Sequence, residues 1–156
     1  MLLLALSLAT QDAHAGKSEV GTSKTTGIGV NLGYPNAFTA KLYFKPKSGM
    51  SVTAGAYPGG LGTAMVRVQY EQVFYTIGNW DWGKLDLYWN AGVGSNVTIV
   101  GLNLQPGIGG GVSALLRFKD VPAEVFVDNS IYVYPALFSA AFDTGYVGGL
   151  GGRWYF

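Results

Sequence analysis

Gly145-Tyr-Val-Gly-Gly-Leu-Gly-Gly-Arg-Trp-Tyr-Phe156 decides the fold. In an extended segment successive side chains point to opposite sides. Phe156, Trp154, Leu150 and Tyr146 then share one face, and Tyr155, Arg153, Gly151, Gly149 and Val147 share the other. A strand that is greasy on one face and small or charged on the other suits a barrel with lipid outside and a polar lumen inside. The segment closes on an aromatic residue with no polar tail, which reads as an outer-membrane address.

Composition agrees. Only 12% of residues are charged against 49% hydrophobic, whereas a soluble domain carries about 25% charged residues. Yet beyond residue 15 no unbroken apolar run approaches the ~20 residues of a membrane-spanning helix. A sheet with one apolar face satisfies both facts, and 156 residues suffice for one closed barrel. The formal charge of +1 gives no reason to expect nucleic acid. Cysteine is absent and His14 is the single histidine, so disulfides and thiolate chemistry are excluded. Neither a metal site nor a cofactor is expected.

Met1-Leu-Leu-Leu-Ala-Leu-Ser-Leu-Ala-Thr10 runs into Ala13-His14-Ala15, an A-x-A-like cleavage site. Residues 1–15 therefore read as a secretory signal peptide. A basic n-region is missing, which points to a start upstream of Met1. Residues 16–25 are expected to form an N-terminal periplasmic segment and residues 26–156 the transmembrane barrel.

From Thr26 onward apolar residues alternate with small or polar ones, punctuated by turn residues, as in an antiparallel meander. Strands are expected near 26–34, 37–45, 50–57, 63–75, 84–94, 106–118, 122–134 and 145–156. The fold class is all-β, an eight-stranded antiparallel up-and-down transmembrane β-barrel. Turns at 45–49, 76–83 and 119–122 fall at the periplasmic end. The segments at 35–36, 58–62, 95–105 and 135–144 fall at the outer end, and Ser95–Gln105 and Pro135–Thr144 are the longest. Such barrels have long outer loops and short inner turns. Aromatic girdles are expected from Phe44, Phe74, Phe118, Trp154 and Phe156 at one interface and from Tyr34, Phe38 and Tyr57 at the other. Asn129 falls on the outward face, and nothing in the sequence explains it.

Gly27-Ile-Gly-Val-Asn-Leu-Gly-Tyr-Pro35 followed by Ala40-Lys-Leu-Tyr-Phe44 resembles the opening hairpin of a family of small bacterial outer-membrane β-barrels with no assigned activity. Glu124-Val-Phe-Val-Asp128 is similar to that family's acidic penultimate strand, and Gly151-Gly-Arg-Trp-Tyr-Phe156 to its closing strand. The resemblance covers most of 26–156. It implies an OmpA/OmpX-like eight-stranded barrel and brings no activity with it. The closing strand also resembles the signal read by the barrel-assembly machinery, with Gly151, Trp154 and Phe156 in its glycine and aromatic positions and Gly149 where a polar residue is usual.

The inward faces collect Lys41, Arg67, Arg117 and Arg153 against Glu71, Asp86, Glu124 and Asp128. Unpaired charge in a narrow barrel is prohibitive, whereas paired and hydrogen-bonded charge is tolerated. The balance predicts a charge network that plugs the lumen, with Arg153 near Glu124 or Asp128. Eight strands leave width for side chains or one small ligand. Inward Gly27, Gly29, Gly33, Gly149 and Gly151 leave room at the closing seam, which Tyr43, Tyr88 and Tyr155 are placed to fill. One alternative is a narrow ion or small-solute channel lined by the same charges. Another is a soluble lipocalin-like barrel with its apolar face inward and the eight charges outside.

Catalysis finds no support. A barrel hydrolase would need a histidine base beside its serine, and the chain after residue 15 has none. Glu124 and Asp128, four apart on one strand, lie roughly 13 Å apart, beyond the ~6.5–9.5 Å of inverting glycosidases. The expected role is structural or surface-interactive, with outer-membrane lipid and the assembly machinery as partners and Ser95–Gln105 and Pro135–Thr144 as the candidate contact surface.

Overall fold

The computed structural model describes residues 20–58, 62–98, 103–135 and 142–156. The expected signal peptide and residues 16–19 lie outside the described residues. The strands are β1 (Thr26–Tyr34), β2 (Asn36–Lys45), β3 (Ser48–Ala56), β4 (Thr63–Asn79), β5 (Gly83–Thr98), β6 (Asn103–Phe118), β7 (Ala123–Pro135) and β8 (Phe142–Tyr155). Each pairs antiparallel with its sequence neighbours, and β1 pairs with β8 to close the barrel. Following registered partners from Ile28 through Ala40, Val52, Val68, Val93, Ile108 and Val133 leads to Thr144 on β8. Ile28 itself pairs with Trp154. The sheet thus returns displaced by ten residues, 144 against 154. That stagger tilts the strands by about 40° to the axis.

The ladders run further than alternation predicts. β4 continues past 75 to Asn79 through register shifts at Val73/Tyr75 and Thr76/Gly78. A bulge resets side-chain parity, so Phe74 and Tyr75 both face outward, 54% and 59% exposed. The turn expected at 76–83 shrinks to 80–82, and the turn at 45–49 shrinks to Pro46-Lys47. At the other end β5 and β6 stay paired to Thr98↔Asn103, so most of the expected Ser95–Gln105 loop is strand, and 99–102 lie outside the described residues. β7 and β8 pair out to Pro135↔Phe142, and 136–141 likewise lie outside. The end bearing the three short turns is the turn end below, and its opposite is the loop end.

Outward positions are apolar and exposed, inward ones buried. Ile28, Leu32, Val93, Ile108, Ile131 and Leu150 lie among the exposed hydrophobics. So do Phe44, Phe74, Trp154 and Phe156 at the turn end, and Tyr34 and Phe38 at the loop end. Phe118 is half-buried, with its ring 6.3 Å from Trp82. Tyr57 departs from the expected girdle. It turns inward, packs on Tyr34 at 4.7 Å between centroids, and donates its hydroxyl to Asn96 Oδ1 at 3.0 Å.

Inward glycines sit opposite inward aromatics, so the interior fills by alternating large and small residues. A Cβ on Gly27 would lie 2.5 Å from Tyr155 Cε1, and one on Gly151 would lie 2.2 Å from Phe126 Cζ. Tyr132 fills the space at Gly109 and Tyr134 the space at Gly107 in the same way. The room predicted at the β1/β8 seam is therefore occupied. Tyr155 takes the space at Gly27, Phe126 that at Gly151 and Asn31 that at Gly149. At Gly29 and Gly33 a Cβ would run into the carbonyls of Gly152 and Gly148. At the turn end Val20 tucks inside against Tyr43 and Tyr155.

The Gly27/Tyr155 pair isolates this packing, because the three atoms nearest to a Cβ there all belong to the Tyr155 ring. Gly27→Ala is expected to destabilise the barrel by about 1–3 kcal/mol through overpacking. In a Tyr155→Leu background the same change is expected to cost much less. Urea unfolding of the four members of this cycle in detergent micelles measures both. Equal costs in the two backgrounds would contradict the packing.

Candidate functional site

Strand β7 shows how the interior is layered. Its inward residues run Glu124, Phe126, Asp128, Ser130, Tyr132, Tyr134 from the turn end to the loop end. Carboxylates, one aromatic, a hydroxyl and two phenols thus follow at every second position, and the facing strands supply their complements. All eight charged residues expected on the inward face are buried, none more than 5% exposed. They separate into three groups.

The largest group joins Lys41 on β2, Glu71 on β4, Glu124 on β7 and Arg153 on β8. Lys41 Nζ lies 2.6 Å from Glu71 Oε2 and 3.7 Å from Glu124 Oε1. Arg153 Nη1 lies 2.7 Å from Glu124 Oε1, and Nη2 lies 3.8 Å from Glu71 Oε1. Each cation meets both carboxylates, so the quartet is neutral. Register sets the core of it, since Glu124 pairs directly across from Arg153. Uncharged neighbours complete it. Tyr43 donates its hydroxyl to Glu124 Oε2 at 2.9 Å. Thr39 Oγ1 accepts from Arg153 Nε at 3.1 Å and Nη2 at 3.0 Å. The guanidinium stacks on Phe126 at 4.0 Å, and the Lys41 ammonium lies 4.4 Å from the Tyr43 ring centroid. Both are geometries in which a ring face attracts a cation.

Nearer the turn end, Arg117 pairs with Asp86 and donates a second hydrogen bond to the Pro46 carbonyl at 2.7 Å. Thr76 donates to Asp86 at 2.6 Å, and Lys84 Nζ stands 3.3 Å from the same carboxylate. Nearer the loop end, Arg67 pairs with Asp128. Beside the quartet, Val73, Tyr88, Leu115 and Phe126 form a buried apolar layer.

Around Asp128 the polar residues form a continuous set. Ser113 donates to Asp128 Oδ1 at 3.3 Å, and the one hydroxyl hydrogen of Ser130 is shared between Asp128 Oδ1 at 3.2 Å and Asn90 Oδ1 at 3.0 Å. Asn90 accepts from Gln69 at 2.9 Å, and its amide donates to Ser113 at 3.2 Å. Ser113 also accepts from the backbone N–H of Asn129 at 3.0 Å. The β6/β7 ladder is interrupted between Gly111↔Ser130 and Ala114↔Val127, so a hydroxyl stands in for a ladder carbonyl there. The outward side chain of Asn129 itself gains no explanation. Arg153 therefore sits with Glu124 and not with Asp128, which belongs to Arg67. Of the expected fillers, Tyr155 and Tyr43 close the turn end and Tyr88 joins the buried apolar layer.

Sequence parity placed the eight charges, and Thr39 and Gln69 beside them, on the inward faces, but it assigned no role to Thr39 and Phe126, which contact Arg153, or to Gln69, which donates to Asn90. Cross-strand register is the signal that would have found those contacts, and it depends on the stagger. Gly151 faces inward, and Trp154 and Phe156 face outward. Among the described residues no cluster of three or more His, Cys, Asp or Glu side chains is placed to hold a metal. Above the Arg67 pair, Met65, Tyr132, Tyr134 and Val147 form a buried cluster with Tyr57 packed on it.

Removing one charge of the quartet strands its partners in a low-dielectric interior. Lys41→Met is expected to destabilise the barrel by ~3–5 kcal/mol. Lys41→Met with Glu71→Gln, which removes a charge of each sign, is expected to recover most of that loss. Urea unfolding midpoints in micelles check this, and a double variant as unstable as the single one would contradict the pairing. No family model matches this chain, and neither a curated protein nor a solved structure matches it.

Proposed function

We propose that this chain is an integral β-barrel of the bacterial outer membrane whose interior is plugged and whose role is structural or surface-interactive, not catalytic. The observation that carries the reading is the inverted polarity of the barrel. The registered hoop Ile28, Ala40, Val52, Val68, Val93, Ile108 and Val133 faces outward, while eight charges lie inside. Apolar surface left in water costs roughly 25 cal/mol per Å², and soluble monomers rarely expose contiguous patches above a few hundred Å². Lipid removes that cost along the whole hoop. A lipocalin-like arrangement needs the opposite polarity, with charge outside and the ligand's apolar chamber inside.

The plug is supported by the neutral charge groups and by the buried aromatic side chains beside them. An ion crossing the lumen would have to displace Phe126, which fills the space at Gly151, or Tyr88, which is buried in the same cluster. Outer-membrane lipid and the barrel-assembly machinery are the partners this reading requires.

Fractionation of cells expressing the chain, with gel migration before and after boiling, tests location. Recovery in the outer membrane with heat-modifiable migration is the expected result, and recovery in the soluble periplasmic fraction would sink the reading. In planar bilayers the purified barrel is expected to give no steady openings. Steady openings abolished by Arg153→Ala or Asp128→Ala would replace the plug with a channel.

A further inference from the structure

We infer that the loop-end mouth of the barrel is a binding cup for a neutral saccharide. Above the buried Met65/Tyr132/Tyr134/Val147 cluster the strands remain paired but the lumen is no longer filled, and a cup of about 390 Å³ opens there. That volume lies at the lower end of the range for small-ligand sites. It deepens the surface-interaction reading and rests on it only for where the sugar would be met.

The chemistry of the lining selects the ligand. Thr63, Asn96, Thr98 and Gln105 supply hydroxyls and amides that both donate and accept. Tyr34 and Tyr57 supply aromatic surface at the rim. Their rings are already packed on one another at 4.7 Å, so they offer a wall and not an open cage. Beneath Gly145, which lines the cup, lies Tyr134. A Cβ on Gly145 would be 2.9 Å from its ring and 3.7 Å from its hydroxyl. Tyr134 is 1% exposed and closes the floor, with its hydroxyl toward Tyr57 and Asn96.

Charge narrows the choice further. Among the described residues no Lys, Arg or His lines the cup, and Asp143 is the one charged residue there. Phosphate, sulfate and acidic sugars therefore meet a carboxylate with nothing to neutralise them. A quaternary ammonium would find Asp143 but would leave the four amide and hydroxyl side chains unused. A pyranose uses both kinds of surface, its hydroxyls on the polar groups and one C–H face on a tyrosine.

Refolded barrel in micelles, ¹⁵N-labelled and titrated with glucose, galactose, N-acetylglucosamine, choline chloride or inorganic phosphate, tests the cup. Saturable shifts at Asn96, Thr98 and Gln105 with at least one neutral sugar are the expected result. Asn96→Ala and Tyr34→Ala are expected to weaken that binding about tenfold each, the loss of one hydrogen bond or one stacking wall. Val93→Ala, on the outward hoop, is expected to leave it unchanged. Saturable binding of choline or phosphate with none of the sugars would overturn the inference, as would a heat-modifiable barrel showing no saturable shifts with any probe. Sugar binding by a protein recovered in the soluble fraction would sink the membrane reading alone, and a membrane barrel with no sugar binding would sink the cup alone.

Discussion

Compensation of charge inside a narrow tube is the constraint on which the rest of this structure depends. An ionised side chain removed from water and left unpaired costs several kcal/mol, comparable with the whole stability margin of a domain. Eight such groups lie inside this barrel, so the fold exists only in registers that bring opposite charges together. Glu124 opposite Arg153 is one such register, and a slip of one residue would turn both outward. The ten-residue stagger then carries Lys41 and Glu71, from strands on the other side of the closing seam, to the same level.

Packing follows from the same constraint. Charged groups stay out of water only where side chains fill the space around them, and the glycine–aromatic pairs fill that space at Gly27 and Gly151. Phe126 does two things at once. It occupies the space left by Gly151 and presents its face to the Arg153 guanidinium. Tyr43 likewise links the turn-end seal with Val20 and Tyr155 to the quartet, through its hydrogen bond to Glu124. Seal and charge network share residues, so neither can be altered without the other.

Much of this was legible in the sequence because a strand has a period of two. The closing strand alone separates Trp154 and Phe156 from Arg153 and Tyr155, and the same parity placed all eight charges inside. What parity cannot report is where the period breaks or how strands align. The bulges after Val73 hid the end of β4, because Phe74 and Tyr75 share a face. Paired residues such as Asn96 and Gln105 read as loop because polar side chains on an inward face near a barrel mouth look like turn composition. Tyr57 read as a girdle residue although its own parity opposed it to outward Val52 and Ala54. The partners of each charge, and the cup, depend on register across the barrel, which no single strand encodes.

The account stands on lipid meeting the outward hoop while the inward face stays sealed, and the absence of native cysteine makes that directly measurable. Spin labels on single cysteines at Val52, Val93 and Ile131, with the protein in bilayers, report collision with oxygen dissolved in lipid and with a water-soluble nickel chelate. High oxygen and low chelate accessibility at all three positions is the predicted result. Free access of the chelate to those positions would contradict the account.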